Sequence, residues 1–340
     1  MHYVGLDVHR KSITFCIKLA DGTIVGEGRV EARREKLDEW LATLPQPWSG
    51  AMEATIFSDW IYDYLAPHAA ALAVGHPERM KAIAAGKKSD RLDARTIADL
   101  LRANLLPPAF TMPAPLRDLR RVLRYRARLV SDGADARNRI AGMLMQLGVP
   151  YDSSRLHGKK YFRELVKTHG QLIPDSARAL LAFSRRQIET IAAMDRQLTS
   201  ALAQHPDLAA RVARLSSIRG VGQVTALTWA LEIGPVERMG SIDRAVRYCG
   251  LCSEQKESAD KRMRGPLSKR RNSHLQTVLI EAAHLAPHWN PELAAVQARE
   301  VARGNRNRAT LAVARKLVAW LMGADRGHQP RAVPAEKAAV

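Results

Sequence analysis

The hydrophobic period of this chain switches between two and about 3.6 residues several times before residue 104, and that alternation restricts its fold more than any other feature. Tyr3 to Val8 form a short apolar run. Ile13, Phe15, Ile17 and Leu19 then alternate with polar or small residues. Asp21-Gly22 is a hairpin turn signal, and residues 24–30 continue as a third strand. Residues 33–44 carry Leu37, Trp40, Leu41 and Leu44 on one helical face, and Pro45 and Pro47 stop that helix. "SGAMEA" reads as a short buried strand ending at Glu53. A helix around Trp60 to Leu65, a strand around Leu72 to Val74, a helix opening near Pro77 and a last helix from Asp90 to Ala103 follow. The predicted order is β-β-β-α-β-α-β-α-α, which requires a parallel component in the sheet.

Four carboxylates fall at particular places in this order. Asp7 sits in "YVGLDV", Glu53 in "GAMEAT", and Asp90 and Asp93 in "KKSDRLDAR". They occupy the first strand, the end of the fourth strand and one face of the last helix. This is the layout of the ribonuclease-H-like fold, and more narrowly of its Holliday-junction resolvase (RuvC-like) branch. Gathering carboxylates costs repulsion, which a bound divalent cation offsets. One or two Mg2+ ions held by such a quartet neutralise a scissile phosphate and align the attacking and leaving oxygens. No single aspartate is specific. Asp90 would serve equally as a helix cap bonding the amide of Asp93. The conjunction of four in one topology carries the signal.

The balance of charge names the partner. The 340 residues hold 53 Lys+Arg against 34 Asp+Glu, a formal charge of +19, which favours a polyanion and above all nucleic acid. No apolar run reaches the roughly 18 residues of a membrane span, and the N-terminus lacks the pattern of a secretory leader. A cytoplasmic, nucleoid-associated protein with no membrane partner is expected. Cys16, Cys249 and Cys252 make no disulfide framework. Cys249 and Cys252 form a C-x-x-C, but a zinc site needs a second ligand pair that His274 alone does not supply.

The remainder reads as helical. Residues 1–106 form the α/β catalytic domain, and Pro107, Pro108, Pro113 and Pro115 mark a linker. Residues 107–204 form a helical, coiled-coil-like arm. Leu116, Leu119 and Leu123, then Ile140, Met143, Leu144 and Leu147, give its first stripe, and Leu181, Ile188, Ile191, Leu198 and Leu202 the second. Ser184 and Asp195 fall on the second seam, so any coiled coil is imperfect or pairs through specific polar contacts, and the two helices are expected to form an antiparallel arm. Arginines crowd the first stripe, and Arg120 and Arg124 are candidate phosphate contacts or members of a solvated face. Residues 205–322 form a mainly helical third unit, and residues 323–340 a Pro-, Gly- and Ala-rich tail predicted to be disordered. Gly220-Val221-Gly222 lies between two helical segments and resembles a helix-hairpin-helix, whose turn presents backbone amides to phosphate. A tight turn with no ligand has the same sequence. Further on, Lys256, Lys261, Arg262, Arg264, Lys269, Arg270 and Arg271 form a basic loop before an apolar helix from Ser273. Composition alone makes Ser258, in that loop, an ordinary serine.

The chain resembles the DEDD-type insertion-sequence transposases, understood as bridge-RNA-guided serine recombinases and related to the Piv-type DNA invertases. The segments "YVGLDVHRKSI", "MEAT", "KKSDRLDARTIADLL", "IRGVGQVTAL", "YCGLCSEQKESADKR" and "LSKRRNSHLQTVLIEAA" carry the resemblance. It implies a C-terminal transposase domain after the arm. It maps a catalytic, metal-binding quartet onto Asp7, Glu53, Asp90 and Asp93, and a nucleophilic serine onto Ser258. It also implies donor and target DNA, a structured guide RNA, and a homodimer assembling to a tetramer. Here Ala259 follows Ser258 where the family has glycine, Ser253 replaces a proline and Arg271 a glycine. A magnesium nuclease that activates water, an invertase without guide RNA, and a nucleic-acid-binding protein without activity share much of this pattern. With 5% aromatic residues, the chain offers little for base stacking.

Overall fold

The computed structural model describes residues 1–83, 89–258 and 261–328, with residues 255–258 and 261–264 described by their backbone alone. The chain divides into two compact units, Met1–Ala114 and Pro115–Val340.

The first unit runs β1 (His2–Val8), β2 (Ser12–Lys18), β3 (Ile24–Glu31), α1 (Arg34–Leu41), β4 (Trp48–Glu53), α2 (Ser58–Leu65), β5 (Ala71–Gly75), α3 (Pro77–Ile83) and α4 (Asp90–Arg102). This is the predicted order. The five strands lie in the order β3-β2-β1-β4-β5. β1 pairs antiparallel with β2, and β2 with β3, whereas β1 with β4 and β4 with β5 are parallel. A mixed sheet of this kind is compatible with a ribonuclease-H-like domain. At the first turn, Thr23 N–H donates to Asp21 Oδ1 at 2.9 Å, and Gly22 takes φ +94°.

The sheet has two unlike faces because side chains alternate along each strand. Val4, Leu6, Val8, Trp48 and Met52 point one way, into a core with Leu37, Trp40, Ile61 and Leu65 from α1 and α2. The other face is thinner, with Ala51 against Met80, Ile97 and Leu100 from α3 and α4. The first two linker prolines continue the sheet edge. Pro107 accepts from His76 N–H, and Ala109 N–H donates to Val74, both at 2.8 Å.

The second unit comprises α5 (Ala114–Gln146), α6 (Lys159–Thr168), α7 (Asp175–Ala203), α8 (Pro206–Ser216), α9 (Gln223–Ile233), α10 (Ile242–Tyr248), β6 (Ser253–Ser258), β7 (Lys261–Leu267), α11 (Ser273–Leu285), α12 (Pro291–Ala302) and α13 (Arg306–Asp325). α5 and α7 run antiparallel. Arg126 Nε meets Asp195 Oδ1 at 2.5 Å, Gly133 faces Ile191, and Arg139 donates to Gln187 at 3.1 Å. Asp195, an interruption of the apolar seam, is thus one of its polar contacts. Ile140, Leu144, Leu181 and Ile188 form a core with Leu165 of α6, a helix absent from the predicted elements. A larger core gathers Leu227, Trp229, Leu275, Leu279, Val313 and Leu317, and takes in Leu123 from α5.

Two expectations are corrected. The basic loop contains an antiparallel hairpin of β6 and β7, with Ser258 the Cα partner of Lys261. Its strands carry few apolar residues, so no hydrophobic alternation announced them. The tail does not begin at Gly323, because α13 continues to Asp325. The buried Asp325 carboxylate accepts from Arg211 at 2.8 and 2.6 Å and from the Trp229 indole at 3.0 Å, which anchors the last turn. Residues 329–340 lie outside the described residues.

Candidate active site

Asp7 reaches its position through the glycine two residues before it. Gly5 and Asp7 share the thinner face of β1. A Cβ on Gly5 would lie 2.0 Å from the Ala94 carbonyl oxygen and 2.5 Å from the Ala98 nitrogen, so only glycine lets α4 lie this close. Ala94 and Ala98 provide the matching small surface on the helix. One turn before Ala94 comes Asp90, and the first turn of α4 therefore overhangs Asp7. On the next strand Ala51 is the register partner of Gly5 and Met52 that of Leu6. Alternation then puts Glu53 on the same face as Asp7, at the same end of the sheet.

Ser89 is the N-cap of α4, its hydroxyl accepting from Leu92 N–H at 3.3 Å, and Asp93 N–H donates to the Ser89 carbonyl at 2.8 Å. The capping role weighed for Asp90 belongs to Ser89. Asp90 instead faces His9, whose Nε2 lies 3.5 Å from Asp90 Oδ1 and 3.0 Å from Asp7 Oδ2. One ligand atom each from Asp7, His9 and Asp90 lies within 4.8 Å of the others. Glu53 and Asp93 stand outside that trio. The Asp93 charge still acts on Asp7, whereas Glu53 approaches through its strand position. His9 is the residue that sequence reasoning missed. Its signal was present, because a residue two after Asp7 on an extended chain shares its face.

Burial pushes the Asp7 carboxyl above the usual range, contact with His9 opposes this, and the charges of Asp90 and Asp93 add to the rise. A half-buried carboxylate pressed by two others gains from a cation. The hard oxygen donors and one imidazole fit a divalent ion.

Polar ties hold α4 on the sheet. Lys18 Nζ lies 2.5 Å from Asp99 Oδ2, and Arg102 donates to Asp99 at 2.8 Å. Arg95 donates from Nε and Nη2 to the two carboxylate oxygens of Glu27 on β3, and this hydrogen bonding holds that carboxyl at about 2.

In the second unit, the hairpin whose first strand ends with Ser258 is rooted in a set of buried and half-buried hydrogen bonds. Glu232 of α9 is fully buried and accepts from Arg124 at 2.7 and 2.8 Å and from Asn272 Nδ2 at 2.7 Å. Burial would raise its carboxyl, but these donors outweigh it and hold the group below its ordinary value. Asn272 also caps α11, accepting from Leu275 N–H at 3.1 Å. Gln276 donates to Gly250 at 2.6 Å and Arg315 to Leu251 at 2.9 and 2.7 Å, fixing the strand that enters the hairpin. The side chains of Lys256, Ser258, Lys261, Arg262 and Arg264 lie outside the described residues. Lys269 and Arg270 are exposed beyond β7, and Arg271 donates to the Ser268 carbonyl at 3.0 Å. Arg124 is thus engaged with Glu232, while Arg120 is half-buried on the same helix.

At the Gly-rich turn the two glycines differ. Gly220 has φ +100°, and a Cβ there would lie 2.6 Å from that of Ala286, so packing alone accounts for it. Gly222 is exposed with open space where a Cβ would be, at the N-terminus of α9. No described helix is long and apolar enough to cross a membrane. The Cys249 thiol is buried in the larger core, which pushes it up to about 12.

Two family profiles match the chain: a DEDD transposase profile of the IS110 type over residues 4–149, and one described as the transposase IS116/IS110/IS902 family over residues 212–297. The chain is 28% identical over 196 residues to a putative transposase, y4qE, of Sinorhizobium fredii, covering 58% of this chain and 47% of that protein. It is 26% identical over 215 residues to the transposase for insertion sequence element IS1111A of Coxiella burnetii, covering 61% and 57%. It is 23% identical over 208 residues to a probable family 20 transposase of Pseudomonas aeruginosa, covering 61% and 62%. The matches thus span from about half to three fifths of those relatives' lengths. The first profile contains all four carboxylates, and the second contains Ser258 and the Gly-rich turn.

Proposed function

The chain belongs to the DEDD transposases of the IS110 type, and from that premise we propose that it cuts and rejoins the DNA strands of an insertion sequence by transesterification. The observation that carries the proposal is the approach of Asp90, on the overhanging turn of α4, to Asp7 on β1, with His9 between them. Asp7 and Asp90, with Glu53 and Asp93 beside them, would hold Mg2+ or a related ion, which supplies charge neutralisation at a phosphodiester. α4 and the sheet keep these carboxylates in place before substrate arrives, so little reorganisation opposes the reaction.

The nucleophile is Ser258, by the family resemblance. Its hydroxyl oxygen forms a bond to phosphorus, its proton leaves to solvent or a nearby base, and one DNA hydroxyl departs. A second DNA hydroxyl then attacks the phosphoserine, restoring the serine and joining a new strand. Each step exchanges one phosphoester for another, so no external energy source is required. Lys269 and Arg270, exposed beyond β7, and the basic sequence of the hairpin suit a polyanion, and Gly222 would offer its amide to phosphate in a helix-hairpin-helix. A structured RNA that chooses sequence by pairing suits a surface rich in charge and poor in aromatics. Holding two duplexes at once calls for several copies of the chain.

Incubation with divalent cation and nicked or junction DNA, followed by denaturing gels, tests the reading. A protein–DNA adduct that Ser258→Ala abolishes is the expected result. Cleavage that survives Ser258→Ala without any adduct overturns the serine mechanism in favour of attack by water. RNA copurifying with the protein, and required for joining, is expected; joining without RNA removes the guide.

A further inference from the structure

We propose that His9 is itself a ligand of the ion bound by Asp7 and Asp90, and that its imidazole tunes the site toward manganese-class cations over magnesium. The inference rests on the metal reading given above. His9 follows Asp7 by two residues in the same extended run, so the ring is delivered to the carboxylate's own face. Its Nε2 lies 3.0 Å from Asp7 Oδ2 and 3.5 Å from Asp90 Oδ1. Adjacent ligands of an octahedral ion with bonds of about 2.1 Å stand about 3 Å apart. The two His9 contacts are near that spacing, and all three ligand atoms lie within 4.8 Å of one another. The ring is half exposed, which leaves the open side of such a site to water and phosphate oxygens. Magnesium favours carboxylate and water, whereas imidazole suits the later divalent ions of the first transition row, and manganese accepts both.

Mn2+ titrated into the full chain, read by electron paramagnetic resonance with detection of nitrogen-14 modulation, tests this directly. The wild type should bind Mn2+ with a nitrogen coupling. His9→Gln should lose the coupling and weaken Mn2+ by at least about tenfold, the scale on which even outer-shell partners act. Mg2+ affinity, measured by competition, should move less. Asp7→Asn should weaken both ions. Mn2+ binding that depends on Asp7 yet shows no nitrogen coupling overturns the role of His9 and leaves the carboxylate site standing. Mn2+ binding indifferent to Asp7 overturns the carboxylate site, and the role of His9 with it. Far-ultraviolet circular dichroism of each variant confirms that the fold is kept, and because His9 is exposed its replacement disturbs no core.

Discussion

On the proposed reading the chemistry converges on Asp7, and its surroundings set what a substitution does. Asp7→Asn keeps the shape and removes one anionic oxygen from the trio. Strand cleavage should fall about a thousandfold, the loss of several kcal/mol of charge stabilisation, while DNA affinity measured without metal stays within about twofold. A quantitative nicking assay beside a binding titration checks both. Glu27 shows the opposite electrostatics. Its folded-state value of about 2 lies below the ordinary 4.5, so the Arg95 pairing stabilises the first unit above pH 4.5 and that stability drains as pH falls toward 2. Arg95→Met should flatten this part of the stability profile, measured by urea unfolding from pH 6 to pH 2.5. The residue scale also shows what the sequence disclosed. The places of Asp7, Glu53 and Asp90 in the element order were readable because strand ends and helix starts have fixed directions. His9 was equally readable by period two, because it follows Asp7 by two residues.

At the scale of elements, α4 is placed by an absence of side chain. Gly5→Val would force branched carbon into the Ala94 carbonyl and push α4 from the sheet. Overpacking of this kind costs about 1–3 kcal/mol, and backbone contact puts this case at the upper end. Thermal unfolding of the first unit should shift down, and divalent cation affinity should fall with it because the overhanging turn moves. No periodicity could expose this glycine, since its role exists only once the helix is docked. The β6–β7 hairpin escaped for a different reason. Serine, glutamate, glutamine and lysine give no apolar alternation, and the strands follow from pairing and from the pinned segments on either side. α6 carries Tyr161, Phe162, Leu165 and Val166 at helical spacing and packs by Leu165 into a core with α5 and α7, so its period was legible in the sequence and only its shortness and basic surroundings obscured it. The nine elements before Ala103 were legible because each pairs an apolar period with a turn signal.

On the scale of the whole chain, Glu232 joins segments far apart in sequence: Arg124 from α5, Asn272 at the start of α11, and its own helix α9. Removing one partner of a buried pair strands a charge. Arg124→Ala should destabilise the second unit by about 3 kcal/mol. Arg124→Leu combined with Glu232→Leu should restore much of that loss while leaving Asn272 Nδ2 only its longer contact to the Tyr248 hydroxyl. A double-mutant cycle in urea measures the coupling, and an additive result removes the hub. The formal charge of +19 belongs to this scale as well. Affinity for DNA should fall steeply and linearly with the logarithm of salt, as counterion release requires; a flat titration between 50 and 200 mM counts against an electrostatic footprint, and those concentrations are roughly the range over which the effect is largest.

The unbroken α5 has a mechanical consequence. A helix of 33 residues is a rod about 50 Å long, and Arg124 clamps it nearer one end than the other. A tilt of about 5° at that fulcrum swings the far end by about 3 Å over the 22 residues beyond it. Whatever grips the tip thereby gains leverage on Asn272, and through it on the stem of the serine-bearing hairpin.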